Sequence, residues 1–398
     1  MIQGAKRKEG ASRLFAPHKN YIAIVGDLEY NVDRKRMRGV QYMEFISARE
    51  AADKWGISQG SVLVLCTENR IRNASKIGDV WFIPAGAQKP VDAKTNCGAR
   101  YDGPKARPFL KWAGGKGQLL SEIEKYYPFE KGKITKYAEP FVGGGAVLFD
   151  VLSKYTLEEV YIGDINAELI NTYCVIRDDV DRIINMLTVL QNEFLPLSTE
   201  ERKAYYFAKR DLFNELKASC DGKNNAQMAA LMIFLNKTCF NGLFRVNKKG
   251  EFNVPMGAYK NPLICDEANL RIVSEKLKNV TIVCGDYRKS ADFIDGNTFV
   301  YFDPPYRPLT DTASFTAYTE TVFNDAEQRK LAGFVGEMRQ RGARIVVSNS
   351  DPKNSDTEDD FFDSVYAAYH IRRVDAARMI NCNSSARGKI KELLISNF

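Results

Sequence analysis

Short apolar runs and amphipathic stretches alternate through the last three quarters of the chain, the pattern of an α/β domain. One run, TFVYF at 298–302, has no polar alternation and reads as a strand of a parallel sheet buried on both faces. Pro304 and Pro305 forbid its continuation, so the strand stops at Asp303. Two further runs also close on an acid. KYAEPFVGGGAVLFDVL (136–152) predicts a strand ending at Glu139, a glycine turn at Gly143, Gly144 and Gly145, and a helix from about Ala146. EVYIGDINAELI predicts a second strand, ending at Asp164. Between about 185 and 275 the chain turns predominantly helical and loop-rich, and no internal repeat is present.

The first quarter has a different texture. Residues 1–42 show no clear periodicity beyond a strand-like YIAIVG (21–26) and are left unassigned. From 43 onwards, Ser47 is an N-cap before Ala51, Ala52 and Trp55; Gly56 makes a turn; Ser58 is a second N-cap before Val62, Leu63 and Leu65. This predicts a helix-turn-helix. The following IRNASKIGDVWFIP alternates like a hairpin with Gly78 and Asp79 at its turn, and resembles the wing of small winged-helix modules of the excisionase or MerR type. Such a module, at 43–84, reads DNA through Gln59, Ser61, Arg70, Arg72 and Lys76, or is a helical hairpin for protein contacts. Residues 85–108, polar and punctuated by Pro90, Pro104 and Pro108, read as a linker to a domain spanning 109–398.

Charge sharpens this division. The first 105 residues carry 18 Lys+Arg against 11 Asp+Glu, so the whole net charge of +7 lies there. A basic module on a neutral body points to a polyanionic partner, although a solvated tail gives the same count. At 398 residues, 44% hydrophobic and 27% charged, the chain has the composition of an ordinary soluble protein of two or three domains. No apolar run approaches the roughly 20 residues that span a bilayer, and no signal-like stretch follows Lys6, Arg7 and Lys8, so a cytoplasmic location is expected. Eight scattered cysteines without a CxxC pair, and two histidines, make a zinc site or a disulfide framework an unpromising reading; no metal is expected.

The candidate chemistry lies at the strand ends. In open α/β sheets the carboxyl ends of strands form the ligand crevice, where Glu139, Asp164 and Asp303 would all sit. For DPPY taken alone a plain turn is an equal reading. The glycine turn lets backbone approach a ligand and precedes a helix N-terminus with free N–H groups. It is not GxGxxG, because Leu148 occupies the last glycine position, and it is not a Walker loop, so a dinucleotide or a triphosphate is disfavoured. Asp164, 19 residues beyond Gly145, has the spacing of an acid that accepts from both ribose hydroxyls of a nucleoside cofactor.

These motifs occur in one order with others: FLKWAGGKGQLL (109–120), AEPFVGGGAVLF (138–149), GDIN (163–166), NKTCFNGLFRVNKKGEFNVPMG (236–257), GDY (285–287), DPPY (303–306) and ARMINCNSSARGKIKELLISNF (377–398). In that order they resemble the Dam-type DNA adenine-N6 methyltransferases, which use S-adenosyl-L-methionine. The resemblance implies a Rossmann-like methyltransferase fold with a helical and hairpin target-recognition insertion at about 185–275. It implies that Trp112 and Lys116 pack over the cofactor, with Lys116 toward its carboxylate. Glu139, Phe141, Gly143 and Gly145 line the methionine side, Asp164 holds the ribose, and Asp286 with Tyr287 faces the adenine. Asp303 with the Pro304 carbonyl would accept the hydrogens of the target amine, Pro305 would stiffen the backbone, and Tyr306 would stack on the extruded base. In GATC, Arg245 would read a guanine, Leu243 and Pro255 the thymine methyl, and Lys111 the outer guanine, while Phe240 and Asn241 would enter the space left by the base. Phe240 stands where the family commonly has tyrosine, which removes a hydrogen bond and keeps the stacking. The partner implied is double-stranded DNA, met by a monomer, with a cognate restriction endonuclease encoded separately or none. Two alternatives stay open: a non-catalytic regulator working through the helix-turn-helix, and a related [DN]PPY enzyme acting on cytosine N4 or a glutamine amide.

Overall fold

The computed structural model describes residues 23–24, 43–67, 71, 74–77, 80–87, 89, 104–112, 114–219, 225–307, 323–377 and 389–398. Arg70, Arg72, Gly78 and Asp79, most of 85–108, and 378–388 of the last motif lie outside them. The chain divides into two units, Met1–Asp92 and Ala93–Phe398.

In the first unit, strands β1 (Ala23–Ile24), β2 (Met43–Ile46), β3 (Ser75–Ile77) and β4 (Val80–Pro84) form a sheet in the order β1-β2-β4-β3. Helices Ala48–Trp55 and Gln59–Thr67 fall where the two caps predict them. Ser47 and Glu50 make a reciprocal capping box, with Ser47 Oγ accepting from the Glu50 N–H at 3.2 Å and Glu50 Oε2 accepting from the Ser47 N–H at 2.7 Å. Gly56, at φ +65°, ends the first helix in the left-handed conformation. Ser58 Oγ accepts from the Ser61 N–H at the start of the second. Ala51, Ala52, Val62, Leu65 and Ile83 fill the core between helices and sheet. Gln59, Ser61 and Lys76 are exposed, as are Leu63 and Val64, and Gln59–Thr67 carries no charged side chain.

In the second unit, β5 (Lys136–Glu139), β6 (Glu159–Asp164), β7 (Val280–Cys284), β8 (Thr298–Phe302), β9 (Arg344–Ser350), β10 (His370–Ala377) and β11 (Lys389–Ser396) form one sheet, ordered β10-β11-β9-β8-β5-β6-β7. β5 to β9 pair in parallel, and β11 runs antiparallel to both β9 and β10. The sheet is mixed and mostly parallel.

Alternation along the strands feeds two cores. Tyr137, Val160, Ile162, Phe299 and Tyr301 point into one, with helices Ala146–Lys154, Ala167–Asp178 and Ala226–Thr238; Ala138, Tyr161, Val300 and Phe302 point into the other, with helix Asp325–Gln340. All five residues of β8 are buried, which explains a run with no polar alternation. Truncating Phe302 to alanine would cost on the order of 3–5 kcal/mol. From β5 the chain goes to β6 and β7 on one side, while β8 and β9 lie on the other. The carboxyl ends of β5 and β8 therefore flank the switch point where such sheets bind ligands.

Between β6 and β7 lie helices Ala167–Asp178, Val180–Phe194, Thr199–Ser219, Ala226–Thr238 and Glu267–Leu277. The 239–266 stretch has two isolated antiparallel bridges, Cys239 to Met256 and Val246 to Phe252, with Gly250 at φ +77° near the tip. Ala106 and Arg107, at the end of the stretch read as a linker, are tied down: their N–H groups donate to Ser153 Oγ at 3.2 Å and Asn269 Oδ1 at 2.9 Å. No helix among the described residues is long and apolar enough to cross a membrane.

Candidate active site

Asp303 follows β8 directly, and Pro304 ends the ladder there. Its Oδ1 accepts from Ser348 Oγ at 2.9 Å, and its Oδ2 pairs with Lys116 Nζ at 2.6 Å. Ser348 also accepts from the Tyr301 hydroxyl at 3.0 Å, so the acid is fixed through the neighbouring strand β9. Lys116, 4% exposed, also donates to the Gly114 carbonyl at 2.8 Å and lies 4.8 Å from the Tyr306 ring centroid. The sequence assigned this lysine to a cofactor carboxylate; in the structure it faces the DPPY acid.

The rest of the motif is equally braced. The Pro305 carbonyl accepts from buried Gln328 at 3.0 Å, and Asn349 donates to Gln328 in turn. Tyr306 donates its phenolic hydrogen to Glu392 Oε2 at 2.6 Å. Arg307, the next residue, forms ion pairs with Asp325 and Asp359 and lies over the Phe361 ring.

The glycine turn supplies the other wall. Gly143 (φ +46°) and Gly145 (φ +72°) adopt left-handed conformations, and a Cβ on Gly143 would stand 2.9 Å from the Trp112 ring. Trp112 stacks on Phe244 at 5.6 Å, which places it in the packing as well as beside the turn. Glu139, 2% exposed, accepts from the Tyr137 hydroxyl at 2.7 Å; burial pushes its carboxyl up to about 8, with nearby Asp303 adding to the rise. No ion pair reaches Glu139 among the described residues. Asp164 accepts from the Gly143 N–H at 3.0 Å and the Asn166 N–H at 2.9 Å, and burial raises its carboxyl against those two bonds. Phe141 stacks on Tyr287 at 5.4 Å. The Asp286 carboxylate is bound by Arg288, 2.6 Å away, which holds its carboxyl below the ordinary range.

The residues given to DNA line the 240–255 excursion and its neighbour. Phe240 is 52% exposed, on a short turn whose Asn241 has φ +56°. Arg245 and Pro255 are exposed, with Arg245 Nε donating to Asn253 Oδ1 at 2.9 Å. Leu243 is half-buried, and Lys111 lies 4.2 Å from the Tyr259 ring centroid. Arg202 secures that loop from helix Thr199–Ser219, donating to the Tyr259 carbonyl at 3.4 Å and the Lys260 carbonyl at 2.8 Å.

Sequence reasoning missed Ser348, Gln328, Glu392 and Arg202. RIVVSNS carried a signal for the first, since an apolar parallel strand that turns polar at its carboxyl end is the DPPY pattern again. Among the described residues no group of three His, Cys, Asp or Glu is placed to hold a metal ion.

A mostly parallel α/β sheet with a braced DPPY acid next to a glycine turn defines the class, a methyltransferase-type enzyme. Residues 112–380 match the model of the D12 class N6 adenine-specific DNA methyltransferases, and the chain belongs to that family. It is 52% identical to a protein of Methanocaldococcus jannaschii named type II methyltransferase M.MjaIII, over 74% of this chain and 100% of that one. It is 35% identical to type II methyltransferase M1.LlaDCHI of Lactococcus lactis subsp. cremoris, over 73% of this chain and 95% of the relative. It is 36% identical to a DNA adenine methylase of Haemophilus influenzae, over 73% and 93%. The protein is thus a site-specific adenine DNA methyltransferase, and the family implies both a DNA substrate and the use of S-adenosylmethionine.

Proposed function

We propose that this enzyme moves the methyl group of S-adenosyl-L-methionine to N6 of the adenine in GATC, on a base that has left the duplex. The observation that carries the reading is the pairing of a braced acid and proline carbonyl at the end of β8 with a glycine cradle and a buried acid at the end of β5. The residues fit that cofactor. Gly143 and Gly145 leave the cradle clear where a Cβ would crowd it. Glu139, buried and with only the longer-range pull of Lys116 to offset its charge, is a seat for an ammonium. Asp164 uses one acceptor site on each oxygen and keeps others for ribose hydroxyls. Asp286, Tyr287 and Phe141 are assigned to the adenine side, and Trp112 to the cover over the cradle. When bound, the cofactor supplies an electrophilic methyl carried on a sulfonium.

The amine of adenine is a poor nucleophile because its lone pair is delocalised into the ring. Asp303 and the Pro304 carbonyl accept its two hydrogens, which localises the pair and stabilises the positive charge that arrives on nitrogen. Ser348 and Lys116 hold that carboxylate in advance, so it does not reorganise during the step. Pro305, Gln328 and Tyr306 fix the backbone and offer the stacking face. On the DNA side, Arg245 takes the guanine edge, Leu243 and Pro255 the thymine methyl, Lys111 the outer guanine, and Phe240 with Asn241 the gap. The exposure of Phe240, Arg245, Pro255 and Lys111 supports this assignment.

The 43–84 module is read as a winged helix-turn-helix that adds sequence-independent DNA affinity. The enzyme works as a monomer where cellular DNA lies, in the cytoplasm, and the two type II names among its relatives favour a separately encoded endonuclease. The test uses tritiated cofactor and two duplexes that differ only in GATC. Label in the GATC duplex alone, lost in Asp303→Ala, is expected; label in neither duplex refutes the site.

A further inference from the structure

The stacking tyrosine is held from a strand that the DPPY motif does not contain. Tyr306 donates to Glu392 Oε2 at 2.6 Å, and Glu392 lies on β11, opposite Ser350 of β9 and Val374 of β10. Antiparallel pairing on both sides fixes the height of that carboxylate against the end of β8. A tyrosine ring has two torsions to settle, and a bond at its far end constrains both. The acceptor is a half-buried carboxylate, which makes a shorter and stronger bond to a hydroxyl than a neutral group does. Lys116, 4.8 Å from the ring centroid and paired with Asp303, ties the same ring to the reacting acid.

We propose that Glu392 is a positioning residue for the target base: by accepting the Tyr306 hydrogen it sets the plane on which the extruded adenine stacks, and so the approach of N6 to Asp303. This rests on the stacking role proposed above for Tyr306. Glu392 touches neither cofactor nor base, and its effect passes through the ring.

The wild-type enzyme is first assayed on the GATC duplex. Absence of label there overturns the GATC reading alone, and the remaining measurements then use the site found by sequencing methylated genomic DNA. Single-turnover rates, KM for cofactor, and the emission of 2-aminopurine at the target position are compared for Glu392→Leu, Glu392→Gln, Tyr306→Phe and the Leu/Phe double variant. Glu392→Leu and Tyr306→Phe should each slow the methyl-transfer step by about tenfold, and the double variant should be no slower than the worse single one. Emission should rise in both single variants, because a loosened ring quenches less, while KM for cofactor stays put. Glu392→Gln, whose amide oxygen still accepts, should recover most of the rate and the wild-type emission. Rates that multiply in the double variant, unchanged emission, or a Gln variant as slow as the Leu variant would overturn the proposal. If Glu392→Leu does not fold, Tyr306→Phe decides: wild-type rate and emission refute it, and a slower transfer step with raised emission supports it.

Discussion

Replacing Glu139 by glutamine separates the cost of a buried charge from its use. The carboxyl is 2% exposed, and burial lifts it from an ordinary 4.5 to about 8. An acid whose folded-state value is raised binds its proton more tightly folded than unfolded, so its contribution to stability is present at low pH and is lost as pH rises from about 4.5 to about 8. Glutamine stays neutral throughout. Between about pH 5.5 and pH 8 the stability of Glu139→Gln relative to wild type should therefore grow by on the order of 3 kcal/mol. At roughly 2 °C per kcal/mol for a unit of this size, the gap in melting temperature should widen by about 5 °C. Thermal melts of the two proteins at several pH values measure it, and other titrating groups cancel in the difference. Adding the non-reactive analogue sinefungin, whose amino acid ammonium would pair with Glu139, should stabilise wild type more than the variant at pH 8. A gap that stays flat with pH refutes the buried-charge argument, and equal protection by the analogue refutes the ammonium seat.

Ser348→Ala removes one of the two groups that aim Asp303, and the transfer rate should fall by about 10- to 100-fold with little change in cofactor KM, read in single-turnover assays. Arg245→Ala should cost about 1–3 kcal/mol at one guanine of the site and relax selectivity there, read by competing duplexes altered at that base. Arg202→Ala should loosen the loop that carries Tyr259 and, through it, Lys111; selectivity at the outer guanine should fall while rates on saturating GATC change by less than about threefold. Removing residues 1–92 should weaken DNA binding and make its salt dependence shallower, and an unchanged slope in fluorescence anisotropy would count against phosphate contacts in that unit.

The fold was legible where local rules act without competition. TFVYF followed by two prolines admits one strand ending, and Ser47 with Glu50 three residues later admits one helix start; both lie where the pattern puts them. Glu139 and Asp164 were equally readable as strand ends, because in a parallel strand buried through its middle the charged residues fall at the ends. Glu392 was not readable. In KIKELLIS it looks like any charge on an alternating edge strand, and only pairing with a strand some forty residues earlier carries it to Tyr306. The contact of Lys116 with Asp303 was not readable either, since spacing shows that a lysine follows Gly114 and Gly115 but not that the end of β8, 187 residues on, lies opposite. Motifs give the inventory of a site; long-range pairing gives its wiring.

That wiring bears on how the charge is managed. Glu139, Asp303 and Glu392 face one buried lysine, so the site carries more acid than base before anything binds. Burial resists ionisation at Glu139 and at Glu392, and Lys116 favours it at both. Methyl transfer from a sulfonium to a neutral amine creates no charge; it moves one from sulfur to nitrogen. What speeds such a step is a field more negative at the amine than at the donor, and Asp303 supplies it only if its own partner does not cancel it. Lys116 does not act on Asp303 alone, since its charge also favours ionisation of Glu392, the acceptor of the Tyr306 hydroxyl. The lysine thus holds Asp303 in place while a second carboxylate draws on its charge, a smaller contribution to the rate than the hydrogen bond to Tyr306, which an amide at residue 392 would keep.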